Sequence, residues 1–481
     1  MSQTAIAVNG SGLNCDVVSA VARDGAFVTV TPQAVENARQ AWEVVREVAS
    51  RRPVYGRTTG VGANRDVTIE DDDTHGLRLL RSHSGGAGPL MSAENVRAML
   101  VVRLNQIAAG GSGVDPDVLG ALADVINRWL IPPIPAYGAI GTGDLTALAS
   151  TALCLIGERP WQGGASTARF PLRPADALAF ISSNAATLGE AALACRDVLE
   201  LLRASIPVTG LALLAVRGSA EPYAAAVHEK CPHPGRRRVA DTVRGLLDDV
   251  ELVPSRIQDP YGYRAFPQVH GPAVDAAENA ETIVTREINA SSENPFVDVA
   301  GRTVWHNGSF HTAYVGLSLD SVRAAMFQTA ALSAARLGTL VEPAFTGLAP
   351  FQAAPGEPGS GIMILEYVAH SAIADIRRLA TPSALGNAVL SRGVEEHAGF
   401  STQSARATTE AIGAYRTVLA CELVAAVRAL RMQDRMPPGR LGEVFALAAA
   451  VLDPQVEDRP LDGDISTATD LLPRLAAYGV Y

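Results

Sequence analysis

Lysine is almost missing from this 481-residue chain: it occurs once, at Lys230, and arginine carries the remaining positive charge. A Walker-type phosphate loop needs Gly-Lys followed by Ser or Thr. Lys230 is followed by Cys231, so that loop is excluded. A Schiff-base lysine would have to be Lys230 itself, and HEKCPHPG reads as a polar surface turn, which speaks against a pyridoxal enzyme. Cysteine is scarce as well. Cys15, Cys154, Cys195, Cys231 and Cys421 are scattered without a CxxC pair, so neither a disulfide framework nor a metal site is expected. Charged residues make up only 19%, below the usual quarter or so, which predicts that much of the surface lies in subunit contacts. A net charge of -10 argues against a nucleic-acid partner. The one basic cluster, Arg236, Arg237 and Arg238, reads as a solvated turn. Apolar stretches such as VFALAAAVL (444–452) are far shorter than the roughly 20 residues that cross a membrane. The start, MSQTAIAVNGSGLNCD, lacks the regions of a signal peptide, so a cytoplasmic protein without a membrane partner is expected.

What is abundant is apolar side chain, 48% of the residues, enough for a large core in two subdomains or one elongated body. Thr31 reads as a helix N-cap with Pro32 in the first turn. Val35, Ala38, Trp42, Val45 and Val48 follow at three- and four-residue spacing, predicting a helix to about Ser50 with one apolar stripe. The glycine-rich YGRTTGVG (55–62) follows as a loop. A second helix is predicted over Ala93–Ala108, and Pro132, Pro133 and Pro135 end a third before the turn GAIGTGD (138–144). Further helices are predicted from near Pro272 towards Asn289, over about Thr312–Leu340 and over about Ser404–Met432. In the last, Ile412, Tyr415, Leu419, Leu423, Val427 and Leu430 recur as a bundle helix requires. Strand-like alternation is brief, near AFVTVT (26–31) and VDVAGRTVW (297–305). The Gly/Pro-rich TGLAPFQAAPGEPGSG (346–361) is long enough to be a mobile segment over a site. The pattern predicts a mainly α fold, a long helical bundle with small sheet elements.

Several separated motifs occur in a telling order. YGRTTGVG (55–62) is similar to the pattern YGxxTGFG, SHSGG (82–86) to SHAAG, and LNQIAAGGSG (104–113) to a helix ending in GxSG. QDPYGYR (258–264) matches QDPYxxR, EINASSENP (287–295) is similar to ExNxxxDNP, NGSFH (307–311) to GGNFH, and SGIMI (360–364) to NSGFMI. On these residues the chain resembles, over about 50 to 400, the histidine and aromatic amino acid ammonia-lyases and related aminomutases. The resemblance implies an ammonia-lyase-like, mainly helical homotetramer whose active sites combine residues from three subunits. It also implies an N-terminal domain, here 1–190, carrying an electrophile loop, and a central and C-terminal helical bundle, here 191–481.

Removing ammonia from an aromatic amino acid means losing a weakly acidic β-proton and a poor leaving group. The family makes an electrophile for this by cyclising Ala-Ser-Gly into a methylidene-imidazolone, and a base takes the proton. The resemblance implies Tyr55 as that base, against the plain alternative of a loop tyrosine packed beneath glycines. A tyrosine base requires a lowered pKa, with Arg264 or the helix N-terminus after GTGD as the stabilising charge. Arg264 would grip the substrate carboxylate by a bidentate pair, unless it forms a structural ion pair. Tyr261 would supply a hydroxyl near the reacting centre, or is a buried tyrosine opening a helix. Phe310 would pack on the electrophile or the substrate ring, or in the core. His83 stands in the SH form that resembles histidine and tyrosine lyases, and can hydrogen-bond a polar ring. Glu395, in VEEH (394–397), matches the glutamate of the family's QEDH, against a surface glutamate. Asn105, whose plain alternative is to brace a helix end, Asn184 in ALAFISSNAAT (177–187) and Glu366, at a usual glutamine, complete the residues carried over.

The expected Ala-Ser-Gly reads Gly141-Thr142-Gly143, followed by Asp144, and the segment measured from Pro135 is one residue short. A ring made from Thr142 would carry an extra methyl on the carbon under attack, which crowds the nucleophile and donates electrons. No external cofactor is expected, and most of the protein is expected to keep the open chain. Ser309, Val394 and His270 depart from the family pattern too. Three functions follow. The first is a carbon–nitrogen lyase or aminomutase acting on the amino group of an aromatic or imidazole-type amino acid. The second is an imidazolone-lacking member that catalyses another elimination, hydration or rearrangement on a small carboxylate. The third is a non-catalytic homologue that binds a small acid or a partner protein, against which stands the joint retention of Tyr55, Tyr261, Arg264 and Glu395.

Overall fold

In the computed structural model, which describes residues 5–69, 74–164, 169–356 and 358–480, strands are confined to three two-stranded pairs and helices make up most of the rest. The first long helix, Pro32–Ala49, begins as its residues dictate: Thr31 Oγ1 accepts the Ala34 N–H at 3.2 Å, and Pro32 takes the first helical position. Its buried stripe is Ala34, Ala38, Ala41, Val44, Val45 and Val48. Val35, expected inside, is exposed, because the small Ala34 and Ala41 take the face that meets the core. Trp42 is only half-buried, with the Arg46 guanidinium 4.5 Å from its ring. The stripe packs on Val297 and Val304 of the antiparallel hairpin Phe296–Asp298 and Thr303–Trp305, and Val54 joins the same cluster. The other expected strand, Val28–Val30, pairs in parallel with Ile6–Val8.

Helix Ala93–Ala108 is buried at every position from Val96 to Ala108, two arginines included. Arg103 is tolerated there because its guanidinium meets Glu293 at 2.8 Å and donates to the Phe180 and Ala179 carbonyls. The third expected helix, ended by the prolines, is Val118–Asn127. Helices Ala313–Leu340 and Ser401–Met432 follow the expected spans closely. Three readings need correction. The helix expected to start near Pro272 begins at Phe266 and runs to Ile288 with the proline inside. Phe266 and His270, both fully buried, stack there at 4.6 Å in the turn before the proline. Arg236, Arg237 and Arg238 lie in the first turns of helix Pro234–Leu247, where Arg238 reaches Glu278 at 2.6 Å, so they are not a solvated turn. Lastly, the segment Pro174–Ala215 is long and apolar enough to cross a membrane by length and composition alone. Some 89% of its apolar window is buried inside the protein, as for a core helix.

The contacts divide the chain into two units. The first comprises Met1–Arg196, Ala280–Leu319 and Pro382–Arg406, and the second Asp197–Asn279, Asp320–Thr381 and Ala407–Tyr481. The expected domain 1–190 falls inside the first, which also takes in two later segments. In the second, His270 bonds Thr329 Oγ1 at 2.6 Å and the Leu202 carbonyl at 3.0 Å, and burial pushes its pKa down to about 3. It is a neutral core histidine. The segment 346–361, whose residue 357 lies outside the described residues, is shaped by the short helical turns Pro343–Thr346 and Pro350–Gln352. Buried Gln352 donates to the Leu340 and Ala425 carbonyls, both at 3.0 Å.

Candidate active site

Tyr55 follows Val54, so the apolar cluster under helix Pro32–Ala49 fixes where its loop begins. The tyrosine is held at both ends: its backbone N–H donates to His306 Nε2 at 3.2 Å, and its hydroxyl accepts the Gly62 N–H at 2.7 Å. Gly62 has φ +55, and a Cβ there would lie 2.6 Å from Ser391 Oγ and 3.3 Å from Glu395 Oε1. Glycine therefore lets the segment 390–395 close on the tyrosine loop. Ser391 Oγ accepts the Ala63 N–H at 3.0 Å, and Leu390 pairs with Glu395 in an antiparallel bridge. Tyr55 and Glu395 are thus brought together. The electrostatics run against the sequence expectation of a lowered pKa: burial pushes the Tyr55 hydroxyl up, the Gly62 N–H pulls it down, and the Glu395 charge raises it again. The positive charge that acts on it is Arg65. His311 Nε2 and His397 Nδ1 meet at 2.9 Å and tie segment 306–312 to segment 391–401.

The turn 141–144 is built from the same two segments. Gly141 and Gly143 have φ +88 and +117, a region that favours glycine. The Gly141 carbonyl accepts the Thr312 N–H at 3.2 Å and the Thr312 hydroxyl at 3.0 Å. Thr312 has then spent its only hydroxyl hydrogen, so the Ser401 hydroxyl, 2.6 Å away, must be the donor to Thr312. A parallel relay ends on Asp144: its carboxylate accepts the Thr187 N–H at 2.7 Å and the Thr187 hydroxyl at 2.9 Å, and Thr402 Oγ1 lies 2.7 Å behind that hydroxyl. Ser401 and Thr402 are the first two residues of one helix. Burial pushes Asp144 up to about 6 against the pull of these donors. The Gly143 N–H donates to Asn184 Oδ1 at 2.8 Å, and Asn184 Nδ2 donates to the Phe310 carbonyl.

This geometry can be set against the imidazolone that the resemblance implies. Ring formation would expel the Gly141 oxygen as water and strip the hydrogen from the Gly143 nitrogen. The buried Thr312 N–H, Thr312 hydroxyl and Asn184 Oδ1 would each lose a partner, at about 1–3 kcal/mol apiece. The family's alanine has no room either, since a Cβ at Gly141 would sit 2.5 Å from Ser401 Oγ and 2.8 Å from Ser401 N. These contacts fit an open chain and do not fit the ring. Thr142 itself is half-buried between the two glycines.

His83 ends helix His75–His83 with Nδ1 2.9 Å from the Leu79 carbonyl. A carbonyl only accepts, so Nδ1 carries a hydrogen, and in the neutral tautomer this selects, Nε2 is the acceptor. Asn105 is buried, and both ends of its amide are engaged: it donates to the Ile288 carbonyl at 3.0 Å and accepts the Gly10 N–H at 3.2 Å. Phe310 is half-buried. His306, Thr312, Ser401 and Thr402 went unseen in the sequence. Their partners lie far along the chain, and hydroxyl residues in HTAY or FSTQ carry no motif.

Tyr261, Arg264 and Glu366 belong to the second unit. The helical turn Tyr261–Arg264 is anchored by its middle residues. The Gly262 carbonyl accepts from Arg336 at 3.1 Å, and fully buried Tyr263 bonds Thr339 Oγ1 at 2.7 Å. Arg336 is fixed in turn by a buried pair with Glu422. Tyr261 is exposed, so it is no buried tyrosine, and the Arg264 guanidinium lies 4.5 Å over its ring. Among the described residues no acid pairs with Arg264, and its buried Nε has no hydrogen-bond partner. Buried Arg103, Arg323 and Arg336 each have an acidic partner. Glu366, half-buried in the first turn of helix Ile364–Leu379, comes against Gly338, where a Cβ would lie 3.7 Å from its Oε1. No group of three or more His, Cys, Asp and Glu side chains suited to a metal occurs among the described residues.

Comparison with known proteins gives a consistent picture. A family model described as aromatic amino acid lyase matches residues 13–451. The histidine ammonia-lyase of Treponema denticola is 33% identical, over 97% of this chain and 96% of that protein. The histidine ammonia-lyase of Sorangium cellulosum is 34% identical, over 96% of each. The crystal structure of tyrosine aminomutase from Streptomyces globisporus superposes with a TM-score of 0.92 at 26% identity, covering 99% of this chain and 98% of that one.

Proposed function

The chain belongs to the aromatic amino acid lyase family, and from that premise we propose that it is a lyase or aminomutase acting on the amino group of an aromatic or imidazole-type amino acid. The observation that carries the reading is Arg264, a guanidinium stacked on Tyr261, with a buried unpartnered Nε and no acidic partner among the described residues. Such a group suits the carboxylate that every amino acid brings. Tyr55, or Glu395 beside it, takes the β-proton as the carbon–nitrogen bond breaks and the double bond forms. His83 offers Nε2 as an acceptor and so favours a ring with an N–H or O–H. Incubation of the purified protein with L-histidine, L-tyrosine and L-phenylalanine tests this. Ultraviolet absorbance of a conjugated unsaturated acid, or a β-amino acid on chromatography, is expected with the first two ahead of the third. Folded protein that yields neither product from any of them removes the reading.

A second reading is favoured by the contacts around Gly141, which fit an open turn. Without an electrophile the same scaffold would act on a small carboxylate whose proton is more acidic or whose leaving group departs unaided. In either case we infer a homotetramer. The low charged fraction supports it, as do the exposed apolar side chains Tyr314, Leu317, Ile364 and Tyr367. Light scattering at micromolar concentration should give the mass of four chains. A stable monomer would count against this assembly.

A further inference from the structure

We propose that the first turn of helix Ser401–Met432 is a clamp that keeps Gly141-Thr142-Gly143 an open peptide, so that the family's ring is not made in this protein. The inference concerns the state of the chain; it favours the second reading above, since ammonia loss from an aromatic amino acid draws on the ring as its electrophile. Ring closure has a definite balance. A bond forms from the Gly143 nitrogen to the Gly141 carbonyl carbon, and the Gly141 oxygen leaves as water with the hydrogens of the Gly143 and Thr142 nitrogens. The Thr142 hydroxyl leaves with the α-hydrogen as a second water. The Gly141 oxygen and the Gly143 N–H, two of the groups in the first of these losses, are both held. The Gly141 oxygen is held twice by Thr312, which is itself held by Ser401. The Gly143 N–H is engaged by Asn184 Oδ1 and would lose that bond on closure. The Phe400 N–H, one residue before the helix, fixes the preceding carbonyl of Ile140 at 2.8 Å.

On the far side of the turn, Thr402 backs Thr187, whose N–H and hydroxyl hold the Asp144 carboxylate. One helix start thus pins the turn before and after the two bonds that closure must change. Ser401, Thr312, Thr187 and Asn184 are all buried, so a partner that swings away leaves a buried polar group unsatisfied. The same contacts give Gly141 a reason to lack a Cβ, because Ser401 Oγ and N occupy its place. The obstacle is therefore the clamp, and the extra methyl of Thr142 is secondary to it.

Intact mass of the purified full-length chain, with peptide mapping across 141–143, tests the proposal, and Thr142→Ser separates clamp from methyl. That variant restores the residue that dehydrates most readily and leaves every clamp contact in place. Circular dichroism on heating establishes that it is folded. Both proteins are expected to keep the full chain mass, with no ultraviolet band from a ring. A loss of two waters in the parent overturns the proposal. So does the same loss in Thr142→Ser alone, which would make the methyl the only obstacle. The masses are read without substrate, so a chain inactive on every amino acid tried would leave this result untouched.

Discussion

Replacing Tyr55 by Phe should lower turnover of the true substrate by a factor of at least about 100, the scale of a lost acid–base group. The fold should survive. Val54 and the hairpin cluster fix the start of the loop, and the ring keeps its packing. What is lost is the hydroxyl, and with it the acceptor for the Gly62 N–H, worth about 1 kcal/mol of stability. The pH dependence carries more information than the rate. Burial raises the Tyr55 pKa above its ordinary value near 10, so at neutral pH the hydroxyl is protonated in nearly every molecule. A base must be deprotonated, so kcat/KM should climb with pH through and beyond neutrality. In Tyr55→Phe that climb should vanish along with the rate. A Phe variant that works at the parent rate places the base elsewhere, and Glu395 is the carboxylate beside it.

The second large effect is expected at Arg264. Arg264→Lys keeps the charge and loses the planar fork, and should weaken kcat/KM by about 2–3 kcal/mol, the scale of a charge-assisted bond. The unfolding temperature should hardly move, since no acid among the described residues pairs with this guanidinium and Tyr261, on which it stacks, is exposed. The same change at Arg336 would be different, because a buried Glu422 would lose its bidentate partner. Kinetics unchanged in Arg264→Lys on the substrate would remove the carboxylate assignment.

These predictions draw unequally on sequence and structure. Helix Ala93–Ala108 was legible to the residue, because Ser92 caps it and the glycines after Ala109 stop it. The motif loops were legible because their glycines are forced by geometry: Gly62 and Gly141 have no space for a side chain. Helix Ala185–Ala215 was not, since an element buried on nearly all sides shows no amphipathic stripe, and Pro207 interrupts it. The direction of the Tyr55 shift was hidden for a different reason. It depends on how deeply the ring is buried and on a carboxylate 340 residues later, and neither leaves a local pattern. The two hydroxyl relays were invisible on the same ground. Thr312 and Ser401 reach back 171 and 89 residues for partners that no spacing rule connects.

The discontinuity of the first unit has a consequence for how the protein is made. Its last segment, Pro382–Arg406, is required to finish a unit whose first segment ends at Arg196. Ribosomes add roughly 5–20 residues per second, so this unit waits roughly 10–40 s, half-assembled, for its closing piece. During that interval the segment Pro174–Ala215, apolar enough to pass for a membrane span, has been synthesised without its full set of neighbours. Thr187 and Thr312, which hold Asp144 and the Gly141 carbonyl, likewise wait for Thr402 and Ser401. The yield of folded protein should therefore depend on growth temperature more steeply than that of a protein whose domains close in sequence order.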